Sequence, residues 1–189
     1  MSIEVIEESN ANLEGYARVP IAYRVDRQYR VECVRQGLGG LVLIEEEVVP
    51  YMKDYDALSG GPLGWQQRWD ISQWGILAAF EGERRVGGAV IAWKTNDLVI
   101  TGDPAESAVL WDLRVDMGSR HIGVGSRLLA CALDWGRVRS CRRLEIETQN
   151  INVPACQFYA RHGCDLVAID RNAYGNVCNE VRLLWEKVL

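Results

Sequence analysis

The sequence lacks the features that mark membrane and exported proteins. No apolar run approaches the roughly 18 residues that a membrane-spanning helix needs. The acidic start, MSIEVIEESNANLEG, has neither the basic nor the apolar segment of a signal peptide. No repeat, low-complexity tract or linker interrupts the 189 residues. We therefore expect one cytoplasmic domain with no membrane partner.

Metal-binding, redox and nucleic-acid patterns are also missing. None of the six cysteines stands in a C-x-x-C pair, and only two histidines are present, so no metal site is expected. Cys131, Cys156 and Cys164 lie in apolar stretches and are predicted to be reduced and buried. The net charge of −5 gives no basic face for a nucleic acid. The acidic runs at 44–50 and 53–56 fit either a solvated surface or a cationic ligand.

Apolar periodicity predicts a mixed α/β sheet. Alternating or continuous apolar runs indicate strands, and apolar residues three and four positions apart indicate helices. A strand, helix, strand order in the second half predicts a parallel pair joined by a crossover. The expected strands are 20–34, 41–49, 109–116, 142–149, 165–171 and 180–188, with a hairpin at 75–93 and helices at 123–138 and 152–163.

A glycine loop, RHIGVGS at 120–126, joins a predicted strand to a predicted helix. It is not a P-loop, because Ser126 and Arg127 stand where that motif requires Lys and Ser or Thr. It is a poor dinucleotide loop, since Leu128 replaces the third glycine, although Glu145 follows at the expected distance. The remaining alternatives are an R-x-x-G-x-G phosphate loop and a helix that merely begins after glycines.

The phosphate alternative has a direct physical basis. The first turn of a helix leaves four amides without intrahelical partners, and the helix dipole adds partial positive charge there. Gly123 and Gly125 lack Cβ atoms, so a pyrophosphate can approach these amides, and Arg120 can add charge.

A second group of residues follows on the next strand and helix. Glu147 lies near the end of the predicted strand, Asn152 is the expected N-cap, and Tyr159 lies seven residues on, on the same helical face. The small Ala155 between them leaves space on that face. A carboxylate and a phenol at the open edge of parallel strands are typical of a ligand site.

The two motifs together resemble a known family. RVDMGSRHIGVGSRLL followed by LEIETQNINVPACQFYARHGC is similar to the GNAT superfamily of N-acetyltransferases across 109–164. Within it, ETQNINVPACQFY, VVPYMKDYD at 48–56 and a final strand with Trp185 resemble streptothricin acetyltransferases. The resemblance implies a mixed, mostly antiparallel sheet with a central splayed parallel strand pair and helices on both faces. It also implies a single domain, with a substrate-side hairpin and helix in 1–75, an acetyl-CoA core in 76–164 and carboxy-terminal strands in 165–189.

The resemblance also implies roles for individual residues. Tyr159 would protonate the leaving thiolate, and Glu147 would be the general base that takes the proton of the amine. The acidic residue that precedes the Asp112 position in polyamine acetyltransferases is Trp111 here, so no base is expected at that position. The residues expected to bind acetyl-CoA are Leu113, Arg114, Val115, Arg120, His121, Ile122, Gly123, Val124, Gly125, Ser126, Asn152, Ala155 and Tyr159.

The acceptor is expected to be a small cationic amine. Acidic residues (Asp54, Asp56, Asp70 and Asp112) and tryptophans such as Trp111 suit an ammonium through charge and cation–π contacts. The substrate contacts predicted from this set are Asp112, Trp111, Asp54 and Asp70.

Structural alternatives remain open for these residues. Asp112 is either a substrate contact or an ion-pair partner of Arg114. Glu147 is either the base or a partner of Arg142 or Arg143, and Tyr159 is either the acid or a core aromatic.

The predicted function is acetyl-CoA-dependent N-acetyl transfer to a primary amine, with a streptothricin-like antibiotic as one acceptor. A peptide amino terminus or a polyamine is the alternative acceptor. A non-catalytic module that binds acyl-CoA as a sensor is the alternative from another class. A small-molecule amine is the expected partner, and the chain is expected to be a monomer or a homodimer.

Overall fold

A computed structural model describes residues 2–101, 103–175 and 180–189. Among the described helices, none is both long enough and apolar enough to cross a bilayer. The strands are β1 (Ile3–Glu8), β2 (Tyr23–Cys33), β3 (Leu41–Lys53), β4 (Gly75–Glu81), β5 (Arg84–Trp93), β6 (Ser107–Val115), β7 (Arg143–Gln149), β8 (Asp165–Asp170) and β9 (Arg182–Val188). The α-helices are α1 (Leu13–Ala17), α2 (Tyr55–Ser59), α3 (Val124–Val138) and α4 (Val153–Arg161), and 3-10 turns include Pro62–Gln67.

The chain forms two compact units. The first comprises Met1–Ala22, Asp54–Ile146 and Glu186–Leu189, and the second comprises Tyr23–Lys53 and Glu147–Trp185. The division of a single domain into segments 1–75, 76–164 and 165–189 therefore stays a prediction.

The first unit is built on a sheet of β1, β4, β5 and β6 in that order, continued by the start of β7. The β1–β4, β4–β5 and β5–β6 pairs are antiparallel. The β6–β7 pair is parallel, from Ser107 opposite Arg143 to Leu110 opposite Ile146. This parallel pair, within mostly antiparallel pairing and joined through α3, confirms the predicted mixed sheet.

Two neighbouring glycines of β5 let other elements approach the sheet closely. A Cβ on Gly88 would lie 2.5 Å from the ring of Tyr16, and one on Gly87 would lie 2.8 Å from the carbonyl oxygen of Arg114. Because Gly88 lacks a side chain, the buried ring of Tyr16 can lie directly over β5, and the absence of one at Gly87 gives room to the Arg114 carbonyl and to α3.

A bulge in β6 changes which side chains share a face. Val90 pairs with Asp112 and Ile91 pairs with Leu110, so Trp111 is an extra residue in β6. Side chains alternate along a regular strand, so Val109 and Asp112 would ordinarily face opposite sides. Here Val109 packs in the cluster that contains Tyr16, and Asp112 accepts a hydrogen bond from Tyr16.

The second unit contains the β2–β3 hairpin together with α4, β8 and most of β9. β2 and β3 pair antiparallel from Tyr23 opposite Lys53 to Cys33 opposite Leu41. The side chain of Asn150 links two segments, since its Nδ2 donates to the carbonyl of Tyr29 and its Oδ1 accepts from the amide of Val181.

The sequence predicts most elements within a few residues but misses the first strand. The helix expected at 123–138 is Val124–Val138, and the strand expected at 20–34 is Tyr23–Cys33. The acidic start of the chain forms β1, where Glu7 accepts from the indole of Trp135 at 2.7 Å and Glu8 pairs with Arg85. These carboxylates have distant partners, so the local sequence gives no sign that they lie in a strand.

The cysteine prediction holds in part. All of the cysteines within the described residues are free thiols, and Cys178 lies outside that range. Cys156 and Cys164 are buried, whereas Cys131 is only half-buried. Burial raises the pKa of the Cys156 thiol to about 11, so this group stays protonated near neutral pH.

Candidate active site

The glycine loop lies in the first unit and ends at the amino terminus of α3. Gly123 is the N-cap residue and has left-handed backbone angles of φ 94° and ψ 0°. Within the described part of the chain, no side chain caps this helix, and its first turn carries no acidic residue. The amides of this turn therefore suit an anion, and the binding of a phosphate at this loop stays a prediction.

Arg120 fixes the loop to two other segments of the first unit. Its Nε donates to the carbonyl of Val115 at 3.1 Å, and its Nη2 donates to the carbonyl of Ala22 at 3.3 Å. Between Arg120 and α3, His121, Ile122 and Gly123 are exposed. The guanidinium thus joins the loop to the end of β6.

Replacement of Gly123 by alanine is expected to lower the free energy of unfolding by roughly 1–2 kcal/mol, because a Cβ disfavours left-handed backbone. The expected effect on ligands is weaker binding of an anion at the α3 amino terminus. Urea unfolding and calorimetric titration with acetyl-CoA measure the two effects. Gly118→Ala is the matched control, since its φ is not positive and its Cβ would have ordinary contacts. Equal effects of the two substitutions would contradict the expectation.

Beyond the glycine loop, β6 carries a buried ion network. The side chain of Arg114 is fully buried, and its Nε and Nη2 donate to Asp112 at 2.9 and 2.6 Å. Its Nη1 and Nη2 donate to Asp56 at 2.9 and 3.1 Å, and Nη1 also donates to the carbonyl of Val19 at 3.0 Å. Tyr16 donates its hydroxyl to Asp112. We call Tyr16, Asp56, Asp112 and Arg114 the Arg114 network.

Ionisation in the Arg114 network follows from burial and charge. Burial opposes the charged guanidinium, but the hydrogen bonds and charge of Asp112 outweigh it and raise the pKa of Arg114 above its ordinary value. Burial, followed by the charge of Asp112, raises the pKa of Tyr16 well above 10, so the phenol is neutral at physiological pH. The ion-pair alternative for Asp112 is therefore realised, and its direct contact with substrate stays a prediction.

The other predicted substrate residues have local partners. Asp54 is the N-cap of α2 and accepts from the amide of Asp56, and Asp70 accepts from the amide of Ser72 at 2.9 Å. This hydrogen bond from the backbone amide of Ser72 lowers the pKa of Asp70. As substrate contacts, Asp54 and Asp70 stay predictions.

Four tryptophans of the first unit pack together. Trp65 and Trp74 are buried, while Trp69 and Trp111 are partly exposed and meet edge to face at 5.0 Å between ring centroids. Trp65 also lies 6.0 Å from the ring of Tyr16. The cluster is therefore chiefly a core, and the Trp69–Trp111 pair is its accessible part.

Glu145, considered as the acidic residue of a dinucleotide site, has a structural role instead. Its side chain is fully buried. It accepts from the amides of Ile100 and Thr101 at 2.8 and 3.1 Å and from the hydroxyl of Thr101 at 2.8 Å. These bonds explain why a carboxylate is buried on β7, and they leave the Rossmann alternative without support.

In the second unit, α4 carries three of the predicted residues. Asn152 is the N-cap and accepts from the amide of Ala155 at 3.2 Å, as predicted. Tyr159 is 7% exposed, and its ring meets Phe158 edge to face. This burial agrees with both the acid and the core-aromatic alternatives.

Glu147, also in the second unit, has partners that the sequence did not predict. Its Oε1 accepts from the hydroxyl of Tyr174 at 2.8 Å, and its Oε2 lies 3.8 Å from Arg182. The arginines considered as its partners bind elsewhere, because Arg142 pairs with Glu106 and Arg143 pairs with Glu186.

The sequence missed the two tyrosines that complete these groups. Tyr16 of α1 lies 96 residues before Asp112, and Tyr174 lies 27 residues after Glu147. Neither tyrosine stands in a motif, so no spacing in the sequence signalled its contact. Among the predicted residues, Arg114 donates to Asp112, Arg120 donates to the carbonyl of Val115, and Asn152 accepts from the amide of Ala155.

Comparison with known proteins identifies the family. Residues 43–164 match the model of the Acetyltransferase (GNAT) family. The chain belongs to this family, and the predicted resemblance is confirmed.

Within the family, the chain is similar to proteins that are named streptothricin acetyltransferases. Streptothricin acetyltransferase A of Bacillus subtilis (strain 168) is 38% identical over 80 residues, which cover 41% of this chain and 46% of the relative. Streptothricin acetyltransferase of Escherichia coli is 30% identical over 149 residues, which cover 77% and 75%. The chain thus spans about half the length of the first relative and three quarters of the second.

Solved structures support the same fold. A protein of Bacillus anthracis str. Ames, solved in complex with acetyl coenzyme A, has a TM-score of 0.77 at 21% identity and covers 100% of both chains. Nourseothricin acetyltransferase has a TM-score of 0.76 at 20% identity, covering 100% of this chain and 99% of its own. At these identities the similarity establishes the fold.

Proposed function

We propose that this chain is an acetyl-CoA-dependent N-acetyltransferase that acetylates a primary amine of a small cationic acceptor. The observation that carries the proposal is the first turn of α3 behind the left-handed Gly123, where no side chain of the described residues forms a cap and no residue of the turn is acidic. A turn of this kind binds the phosphates of a nucleotide-derived ligand. Membership of the GNAT family, whose model spans this loop, makes acetyl-CoA that ligand.

In the proposed complex, each part of the donor has its own binding residues. The main chain of Leu113, Arg114 and Val115 pairs with the pantetheine amides. Asn152 and Ala155 contact the pantetheine arm at the start of α4. The pyrophosphate lies against the loop residues Arg120, His121, Ile122, Gly123, Val124, Gly125 and Ser126.

The proposed chemistry moves three protons. Glu147 takes a proton from the acceptor ammonium, and the neutral nitrogen attacks the thioester carbon. A backbone amide near Arg114 or Val115 stabilises the oxyanion that develops. The carbon–sulfur bond breaks, and Tyr159, a phenol with an ordinary pKa of about 10, protonates the leaving thiolate. The second proton that the nitrogen loses as the amide forms restores the phenol of Tyr159.

A streptothricin-like antibiotic is the proposed acceptor. Two relatives carry the name streptothricin acetyltransferase, and one of them aligns with 77% of this chain. A polyamine or a peptide amino terminus is the second candidate. The ribosomal-protein-S18-alanine N-acetyltransferase of Escherichia coli has a similar fold, with a TM-score of 0.63. A peptide with a free amino terminus is therefore included among the acceptors that are tested.

Two measurements test the proposal. The melting temperature is expected to rise in the presence of acetyl-CoA, and no rise at millimolar ligand would exclude acetyl-CoA as the donor. The release of coenzyme A thiol is then measured with three acceptors, which are streptothricin, spermidine and a peptide with an amino-terminal alanine. Binding of acetyl-CoA without release for any acceptor would favour the sensor module over the enzyme.

Replacement of Glu147 by glutamine tests the base. An amide cannot accept the ammonium proton, so the variant is expected to lose about 10²-fold or more in kcat/KM, or to reach full rate only at higher pH. The pH–rate profile measures this change. Glu83→Gln, in an exposed turn, is the control and should leave the profile as in the wild type. An unaltered profile for Glu147→Gln would assign the base to another group.

A further inference from the structure

The Arg114 network holds one more negative charge than positive charge. Asp56 and Asp112 share the single guanidinium of Arg114. The phenol of Tyr16 adds no charge, because burial and Asp112 keep it protonated. A largely buried group of ions with an unbalanced charge is costly unless a further partner compensates it.

The remaining capacity of the network to accept a hydrogen bond lies at Asp56. The five N–H groups of Arg114 all have acceptors within the network or at the carbonyl of Val19. Asp112 accepts three bonds and is 6% exposed. Asp56 accepts two bonds from Arg114 and is 29% exposed, and a carboxylate has about four acceptor positions.

Asp56 is also held in a fixed position. Its amide donates to the N-cap residue Asp54 at 3.0 Å, and its carbonyl accepts from Gly60 at the other end of α2. A Cβ added to Gly61 would lie 3.3 Å from Cγ of Asp56, so the chain passes close to the carboxylate. The bidentate contact with Arg114 fixes the plane of the carboxylate, and its outer lone pairs are oriented in advance.

We propose that Asp56 binds an ammonium group of the acceptor and thereby determines the preference for cationic amines. The proposal rests on the proposed function and names the specificity residue of that site. An ammonium matches the free acceptor positions of Asp56 and the surplus negative charge of the network, because it brings one positive charge and three donors to a carboxylate that already faces a guanidinium. A surplus charge retained at a fixed, partly exposed position is a departure from structural optimisation that proteins show at functional sites.

Other nearby acids and aromatics fit this assignment. Asp54 and Asp70 close local turns with their own side chains, so Asp56 is the better candidate of the three. Trp111, the extra residue of the bulge, immediately precedes Asp112 in the sequence. Like Trp69, which its ring contacts, it is partly exposed. These rings offer a cation–π surface for the remainder of a polycationic acceptor.

Asp56→Asn is the central test. The amide keeps the shape and an acceptor for Arg114, and it leaves a balanced Asp112–Arg114 pair. For streptothricin we expect KM to rise about tenfold or more with kcat within about twofold, and the affinity for acetyl-CoA to be unchanged. Asp56→Glu, which restores the charge, is expected to recover most of the loss. Asp134→Asn, an acid that is 73% exposed on α3, is the control.

A direct measurement on the wild-type protein covers the case in which Asp56→Asn does not fold. The assigned carboxyl carbon resonance of Asp56 is expected to shift when streptothricin is added in the presence of coenzyme A, which cannot donate an acetyl group. The resonance of Asp134 is expected to stay in place. A stationary Asp56 resonance, or a folded Asp56→Asn variant with KM within about twofold of wild type, would overturn the inference.

The inference and the proposed function fail in different ways. If wild-type protein releases no thiol with any amine, the proposed function fails. If wild-type protein acetylates streptothricin while Asp56→Asn does so with the same KM, only the role of Asp56 fails. An equal loss with streptothricin and with the less charged peptide acceptor would show a structural effect and would also overturn the specificity role.

Discussion

Replacement of Arg114 by methionine is expected to lower the free energy of unfolding by about 3–5 kcal/mol. Methionine fills much of the same volume but removes the donors that Asp56 and Asp112 bind. Asp112 would then remain buried as an unpaired charge, and the hydroxyl of Tyr16 would be its one remaining side-chain donor among the described residues. Breaking a buried pair in this way costs far more than removing both partners.

Urea unfolding monitored by tryptophan fluorescence measures this loss. Arg137→Met is the matched control, because Arg137 forms an exposed pair with Asp134 on α3, and such pairs contribute at most about 0.5 kcal/mol. A double variant that also replaces Asp112 by asparagine should recover part of the stability, since it removes the unpaired charge. A loss for Arg114→Met no larger than that for Arg137→Met would contradict the buried network.

Replacement of Tyr159 by phenylalanine is expected to lower turnover by about 10²-fold or more. The proposed acid is its hydroxyl, and phenylalanine keeps the ring that packs against Phe158 in the second unit. Binding of acetyl-CoA should therefore change little. Steady-state thiol release gives the turnover, and calorimetric titration gives the affinity.

The control for the acid is Tyr51→Phe, which removes a hydroxyl from a residue that is 43% exposed on β3. It should leave turnover unchanged. Unchanged turnover for Tyr159→Phe would remove the acid role and leave Tyr159 as a core aromatic. Reduced affinity with normal turnover would instead indicate a binding role.

The parts of the site that follow from local sequence were predictable. The start of α3 at the glycine loop and the N-cap Asn152 depend on residues within one or two turns, so both are visible in the spacing. The mixed sheet also followed from apolar periodicity and from the family motifs. Local rules of this kind depend on the backbone and not on distant partners.

The Arg114 network could not be predicted in the same way. Asp112 and Arg114 were expected on one strand face, but the contacts of Asp56 and Tyr16 join segments separated by 58 and 96 residues. The bulge at Trp111 results from the register of β6 against β5. The pattern of apolar and polar residues along β6 does not reveal it. Which carboxylate remains available depends on these tertiary contacts.

The bulge at Trp111 has a consequence for evolutionary comparison. A deletion of Trp111 would leave Leu110 opposite Ile91 and Asp112 opposite Val90, so the pairing would become regular while Asp112 kept its side of the sheet. Relatives that lack this residue would therefore align with a single-residue gap and still carry the acid and the arginine in the same place. The pairing of Asp112 with Val90, more than the length of this strand, is the character that ancestry must preserve for the network to persist.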